Sequence, residues 1–141
     1  MSIDRNGKAI EYNGDIDEFL GKTMDYLNFV ELDVLDMLEY RFLFSMDKIY
    51  EILGDDAFRL NANGKKRSPI NMNVFEVVVC VMMKVCDEKI KSSDFIRNRY
   101  FELITNDSFL DNIRNHRDSV SKVEVRFNRF ARDFIKEIGN D

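Results

Sequence analysis

The sequence has no Trp, no Gln, a single Pro, a single His and two Cys among its 141 residues. One histidine and the absence of a C-x-x-C motif leave too few soft ligands for a structural zinc site. On a helix, Cys80 and Cys86 would lie on different sides of the axis, so we expect two inert, unbridged thiols in a reducing compartment. No apolar run reaches the roughly 18 to 20 residues that a membrane-spanning helix needs, and no signal-peptide pattern is seen. We therefore expect a cytoplasmic protein with no membrane partner.

The residues that are present predict one folded domain with an uneven charge. The chain is 45% hydrophobic and contains 12 Phe, which is typical of a domain with a proper core. Residues 1–62 hold 14 acidic and 6 basic side chains, a net charge of −8, whereas residues 63–141 hold 12 and 15, a net charge of +3. The second half could therefore attract phosphate groups, or the two halves could simply attract each other.

Hydrophobic spacing predicts an all-α fold: one domain over 1–141, a compact bundle of about five or six helices behind an irregular N-terminal arm. Apolar residues recur at helical intervals over 31–53, and we expect this helix and residues 71–88 at the centre of the bundle. Asp15 is an expected N-cap, Ser92 or Ser93 is a second one, and Gly54 is an expected helix end. In 72–86 the run of three valines favours a strand, but the length and the lack of a partner strand favour a buried helix.

The candidate catalytic residues are few. His116 lies in a polar stretch that reads as an exposed loop, without an evident nucleophile beside it. Phosphate-binding glycine loops are absent from the sequence. Acidic pairs such as Asp33-Asp36 and Asp55-Asp56 leave a metal-dependent hydrolase as the weakest alternative. We expect a protein that is not an enzyme and that carries no cofactor and no metal.

Glu76 is a lone acid in the long apolar run. A buried carboxylate needs a cationic partner, so the sequence predicts a structural ion pair of Glu76 with Arg59 or Arg67. The alternative is that Glu76 lies in the first turn of its helix, near solvent.

Two basic features are candidates for phosphate contact. The first is a run in the connector 54–70, and the second is one face of the last helix, where basic residues alternate with an apolar stripe. A solvated helix face opposite a core stripe would show the same pattern. The candidate residues are Lys65, Lys66, Arg67, Lys122, Arg126, Arg129 and Arg132.

Several short segments resemble the C-terminal helical portion of GmrSD-type proteins, the domain-of-unknown-function family 262. They are Ala57-Phe58-Arg59, Lys66-Arg67-Ser68-Pro69-Ile70-Asn71, Val74-Phe75-Glu76, the upstream NGKAIEYNGDIDEFL and the later Val125-Arg126-Phe127. The resemblance implies bacterial defence against phage, and it implies a fold-defining role for Phe58, Arg59, Asn71, Phe75 and Glu76. The nuclease domain of that family carries a D-G-Q-Q-R motif, which a chain without Gln cannot contain. The resemblance is therefore to the non-catalytic part only.

Two functional hypotheses follow. In the first, the protein is a helical module of a defence nuclease that positions a nuclease domain or a partner and contacts DNA. In the second, it is a stand-alone protein-interaction or oligomerisation module, a mobile-element product or an inhibitor, with no nucleic-acid role.

Overall fold

The computed structural model describes residues 10–60, 68–86, 89–114 and 118–138. These residues form six helices: α1 (Ile16–Phe29), α2 (Leu32–Leu53), α3 (Met72–Val85), α4 (Ser93–Thr105), α5 (Asp107–Arg114) and α6 (residues 120–138). The described part of the chain contains no strand, only an isolated bridge between Arg59 and Ile70. The predicted all-α bundle of five or six helices is therefore confirmed. Of the expected irregular N-terminal arm, residues 1–9 lie outside the described ranges.

Local capping explains where several helices begin. The Asp15 side chain accepts a hydrogen bond from the Glu18 amide, and the Ser92 hydroxyl accepts one from the Phe95 amide at 3.3 Å. The Asn71 side chain accepts from two amides of the first turn of α3. These bonds satisfy helix N–H groups that have no partner inside their own helix. The predicted cap at Asp15 and the predicted cap at Ser92 are confirmed.

Helix α3 forms the centre of the core. The segment that could have been a strand is a helix, and Val74, Val77 and Val81 are completely buried in it. Helices α2 and α6 pack on either side of α3, and α4 packs against both of them. Helix propensity disfavours consecutive valines, but burial on nearly every side of the helix outweighs that preference.

Helix α2 differs from the prediction. Its bounds are as expected and Gly54 ends it with a φ of 57°, a conformation that glycine adopts readily. However, only Ser45, Ile49, Ile52 and Leu53 are buried in it. The prediction that the whole of 31–53 lies at the centre of the bundle is wrong, because only the second half of the helix contributes buried side chains to the core.

The described ends of the 54–70 connector are held by Arg59 and Tyr100. Arg59 donates from Nε to the Asp55 carbonyl at 2.9 Å and from Nη1 to the Ser68 carbonyl at 2.6 Å. The Tyr100 hydroxyl, fully buried on α4, donates to the Arg59 carbonyl at 3.4 Å, and burial raises the pKa of Tyr100 to about 12. The connector therefore leaves and re-enters the bundle at one fixed place.

Helix α6 contains a π-helical segment. It runs as an α-helix over Val120–Val125, as a π-helix over Arg126–Ala131 and again as an α-helix over Arg132–Ile138. Its N-cap is Ser119, whose side chain makes no capping bond. A π-helical turn holds an extra residue and changes the direction in which later side chains point. Short π-helical segments are often found at functional sites.

Among the described residues, no helix combines the length and the apolarity that crossing a membrane requires.

Candidate functional site

Arg126, at the start of the π-helical segment, is the largest fully buried side chain in the described part of the protein. Only 1% of its surface is exposed. Its Nε donates to the Asn112 side-chain oxygen of α5 at 3.1 Å, and its Nη1 lies 3.5 Å from a carboxylate oxygen of Glu76 on α3. Arg126 thus joins three helices, because a guanidinium taken out of water requires acceptors around it.

Asn112 is the neutral partner in this arrangement. It is 4% exposed and lies between the buried Phe109 and Ile113 of α5. Its side-chain nitrogen donates to the Lys122 carbonyl at 2.9 Å while its oxygen accepts from Arg126. Asn112 therefore ties the start of α6 to α5 and fixes the side on which the Arg126 guanidinium lies.

Glu76 is the charged partner, and it is half-exposed, with 50% of its side chain accessible. Partial burial raises the pKa of Glu76, Arg126 opposes this shift, and the neighbouring Asp118 carboxylate adds to it. The pKa is raised overall because the attraction of Arg126 is weaker than the combined effects of desolvation and of the Asp118 charge.

A pocket of about 390 Å³ opens in front of this ion pair, between α1, α3 and α6. We call it the Glu76 pocket. Its apolar walls come from Ile16, Phe19, Val123 and Phe127, and its polar end comes from Tyr12, Glu76, Asp118 and Arg126.

Tyr12 holds the described segment before α1, residues 10–15, against the pocket. Its hydroxyl donates to the Asp118 carbonyl, and its ring meets Phe19 edge to face at 5.6 Å. Gly14, with a φ of 99°, makes the turn between Tyr12 and α1, and a Cβ at this position would lie 3.4 Å from a methyl group of Val120. The arm before α1 therefore passes close to the first turn of α6 and closes one side of the pocket.

Glu76 forms an ion pair, but with a different partner from the predicted ones. Arg59 donates to the carbonyls of Asp55 and Ser68 instead, so the predicted pair of Glu76 with Arg59 is wrong. Arg67 lies outside the described residues. The physical reason is that the Arg59 guanidinium is already held at the connector by its bonds to those two carbonyls.

The basic face predicted for the last helix is divided by the π-helical segment. Arg126 is buried, so the prediction that it is exposed for phosphate contact is wrong. Arg129 is exposed, stacks on the Phe130 ring at 5.0 Å and lies in a groove that contains Arg99 and the carboxylates of Glu102, Asp133 and Glu137. Lys122 is only half-buried, near Asp111. The basic connector residues Lys65, Lys66 and Arg67 lie outside the described ranges.

Arg132 belongs to a different surface, which we call the basic groove. This groove has a volume of about 420 Å³, and among the described residues it is lined by Lys84, Arg132 and Lys136 and by no acidic side chain. Cys80 also lines the groove and is half-buried. Burial raises the pKa of its thiol, which keeps the sulfur protonated at neutral pH. The sequence pointed to Arg132, but it did not reveal that Lys84 of α3 lies beside it.

The outer side of α2 carries a third surface, which we call the α2 face. Exposed apolar side chains alternate there with exposed carboxylates, and Leu32 and Tyr50 are 78% and 69% exposed. At 100° per residue the members project from one side of the helix. They are Leu32, Asp36, Glu39, Tyr40, Leu43, Asp47 and Tyr50.

In the described ranges, no three His, Cys, Asp or Glu side chains converge as a metal site would require. Asp33 and Asp36 lie on exposed positions of α2, and Asp56 is buried, with its carboxylate 3.8 Å from Arg97. His116 lies outside the described residues.

Comparisons of the chain with family models, curated proteins and solved structures find no match. The resemblance to the C-terminal portion of GmrSD-type proteins therefore stays a prediction.

Replacing Arg126 by Ala is expected to lower the free energy of unfolding by about 2 kcal/mol or more, because Asn112 loses its partner and the core loses a fully packed side chain. Urea unfolding followed by circular dichroism measures this. Arg132→Ala, on the exposed part of the same helix, is the matched control and should change the free energy by no more than about 0.5 kcal/mol. Equal effects of the two substitutions would contradict the burial of Arg126.

Replacing Asp118 by Asn is expected to lower the pKa of Glu76, because a like charge is removed from its surroundings. An NMR titration of the Glu76 side-chain carbon measures this, with Asp111→Asn on α5 as the control. Because the pKa of Glu76 is raised in the folded state, its contribution to stability is full below the ordinary value of 4.5 and is lost as pH rises through the folded value. If Asp118→Asn leaves the pKa of Glu76 unchanged, the two carboxylates do not interact, which would contradict the prediction.

Proposed function

We propose that this protein is a non-catalytic helical module that binds a protein partner through the α2 face. The observation that carries the proposal is the exposure of Leu32, Tyr40, Leu43 and Tyr50 on one side of a single helix. Soluble domains rarely leave a contiguous row of large apolar side chains in water, and such rows mark interaction surfaces.

The charges on this surface specify the chemistry of the partner. Asp36, Glu39 and Asp47 lie between the apolar residues, and residues 10–53 together hold 11 acidic side chains against 3 basic ones. A second acidic, apolar surface would be repelled at close range. The complementary partner is a helix whose apolar residues are flanked by Lys or Arg, docked along α2 as one amphipathic helix lies against another.

Helix α1 extends the same apolar character. None of its residues is fully buried, and Ile16, Leu20 and Met24 form an exposed row along it. If the resemblance to GmrSD-type proteins reflects kinship, the partner positioned in this way is a nuclease domain of a phage-defence system.

Substituting both Leu43 and Tyr50 by Ser is expected to weaken binding of a helical Leu/Lys peptide about tenfold or more, since exposed aromatic and aliphatic anchors dominate such interfaces. NMR titration of the labelled protein measures the affinity and locates the binding surface. Neither side chain is buried, so the fold should be retained.

The matched control is Met72→Ser plus Val125→Ser, which removes two exposed apolar residues from other helices. Equal weakening by both pairs, or chemical-shift changes away from α2, would overturn the proposal. Light scattering adds a second check: a dimer that the α2 substitutions abolish would assign the face to a second copy of the chain instead of a basic partner.

The basic groove favours nucleic acid as a second candidate partner. Lys84, Arg132 and Lys136 converge on it from α3 and α6, and several cations on one surface are what phosphate binding requires.

Substituting Arg132 and Lys136 by Glu is expected to weaken binding to duplex DNA about tenfold at roughly 50 mM salt, with a shallower dependence on salt. Fluorescence anisotropy measures this. Lys91→Glu plus Arg114→Glu makes the same change in net charge at exposed positions elsewhere. No DNA binding by the unsubstituted protein, or equal loss in both variants, would exclude this role for the groove.

A further inference from the structure

The Glu76 pocket is distinct from the α2 face, and it shares the Phe127 side chain with the basic groove. It lies between the start of α1, the second turn of α3 and the first half of α6, and its volume of about 390 Å³ is sufficient for a small organic molecule. Its lining includes none of the exposed α2 side chains and none of the basic-groove lysines. A ligand here would therefore not occupy the α2 face itself, although Ile16 belongs both to this pocket and to the exposed row of α1.

The apolar side chains that line the pocket determine which kind of chemical group can occupy most of its volume. Ile16 and Phe19 of α1 face Val123 and Phe127 of α6, and the Tyr12 ring meets Phe19 edge to face. Removing an apolar group from water into this space is favourable at about 25 cal/mol per Å² of apolar surface. Aliphatic and aromatic groups fit these walls, whereas a highly hydrated group does not.

The polar end of the pocket determines the head group. Two carboxylates, Glu76 and Asp118, line it with one guanidinium, Arg126. Arg126 already donates to Asn112 and lies against Glu76, so its charge is directed to the protein. The sum of these three charges is −1, and the carboxylate of Glu76 is half-exposed toward the opening. An anion would meet two carboxylates, whereas a single cation would restore neutrality.

We propose that the Glu76 pocket binds a small amphipathic monocation, a primary amine carried on an apolar body. The ammonium group lies at Glu76 and Asp118, and the apolar body lies between α1 and α6. The elevated pKa of Glu76 agrees with this placement, because an ammonium group supplies the charge that Arg126 alone does not provide.

Binding of such a ligand would also hold α1 on the bundle. Helix α1 has no fully buried residue, and the contacts of Ile16 and Phe19 at this pocket are at the start of that helix. A molecule placed between these side chains and α6 adds apolar contact where the described fold has little of it.

The test uses phenethylamine and 3-phenylpropionate, two probes with similar aromatic bodies and opposite charge. Titration of the labelled full chain by NMR is expected to show saturable binding of phenethylamine, with shifts at the amides of Phe19, Val123 and Phe127. The carboxylate probe should not bind over the same concentration range. Equal binding of both probes, or shifts outside the pocket, would overturn the proposal.

Two variants examine the two ends of the pocket. Gln is nearly isosteric with Glu, and the side chain at position 76 is half-exposed. Glu76→Gln should weaken phenethylamine binding about tenfold, which corresponds to the loss of one charge-assisted hydrogen bond. Val123→Trp fills the space between the walls and should abolish binding while the spectrum still reports a folded protein. Asp111→Asn removes a carboxylate outside the pocket and should leave the affinity unchanged. The proposal fails if the affinity is the same in Glu76→Gln as in Asp111→Asn.

A third variant distinguishes this inference from the proposed function. Leu43→Ser plus Tyr50→Ser alters the α2 face, and it should bind phenethylamine with the affinity of the unsubstituted protein. If that variant loses the amine, the ligand lies on α2 and the Glu76 pocket is not its site.

Discussion

The burial of one arginine is the interaction on which the described structure depends most. Taking a guanidinium out of water is costly, and the cost is offset only when its donors find acceptors. Asn112 and Glu76 supply these acceptors from two other helices, and Asn112 is held in turn by its bond to the Lys122 carbonyl. The position of α6 against α3 and α5 is therefore specified by polar geometry in addition to apolar packing, and apolar packing alone would leave more freedom to slide.

Three surfaces follow from this arrangement. The π-helical segment begins at Arg126, and the side chains beyond it diverge: Arg129 lies among carboxylates, and Arg132 joins Lys84 in the basic groove. The ion pair of Arg126 forms the polar end of the Glu76 pocket. Helix α2 extends beyond the core and leaves an acidic, apolar face exposed to solvent. The acidic and basic halves of the sequence thus correspond to separate surfaces with separate expected partners.

The sequence predicted the helices and their ends better than the contacts between them. Asp15, Ser92 and Gly54 marked helix ends because capping and glycine conformation act within a few residues. The burial of Arg126 was missed, because on an ideal helix it projects at the border between the basic face and the apolar stripe. Its i+4 spacing from Phe130 was the available signal, together with Asn112 standing between Phe109 and Ile113 in an apolar pattern. The pairing of Glu76 with a residue 50 positions away, and the closure of the pocket by Tyr12, depend on tertiary packing that no local pattern contains.

A double-mutant cycle between Arg126 and Asn112 tests the central claim most directly. The substitutions Arg126→Met and Asn112→Leu are made singly and together, and the free energies of unfolding are measured with urea. Arg126→Met removes the donor to the Asn112 oxygen, and Asn112→Leu removes one of the acceptors of Arg126, whereas in the double variant neither group of this bond remains. We predict a coupling energy of about 1 kcal/mol or more, with the double variant more stable than the sum of the single effects implies. Additivity to within about 0.5 kcal/mol would show that the two side chains do not interact, and it would contradict the account.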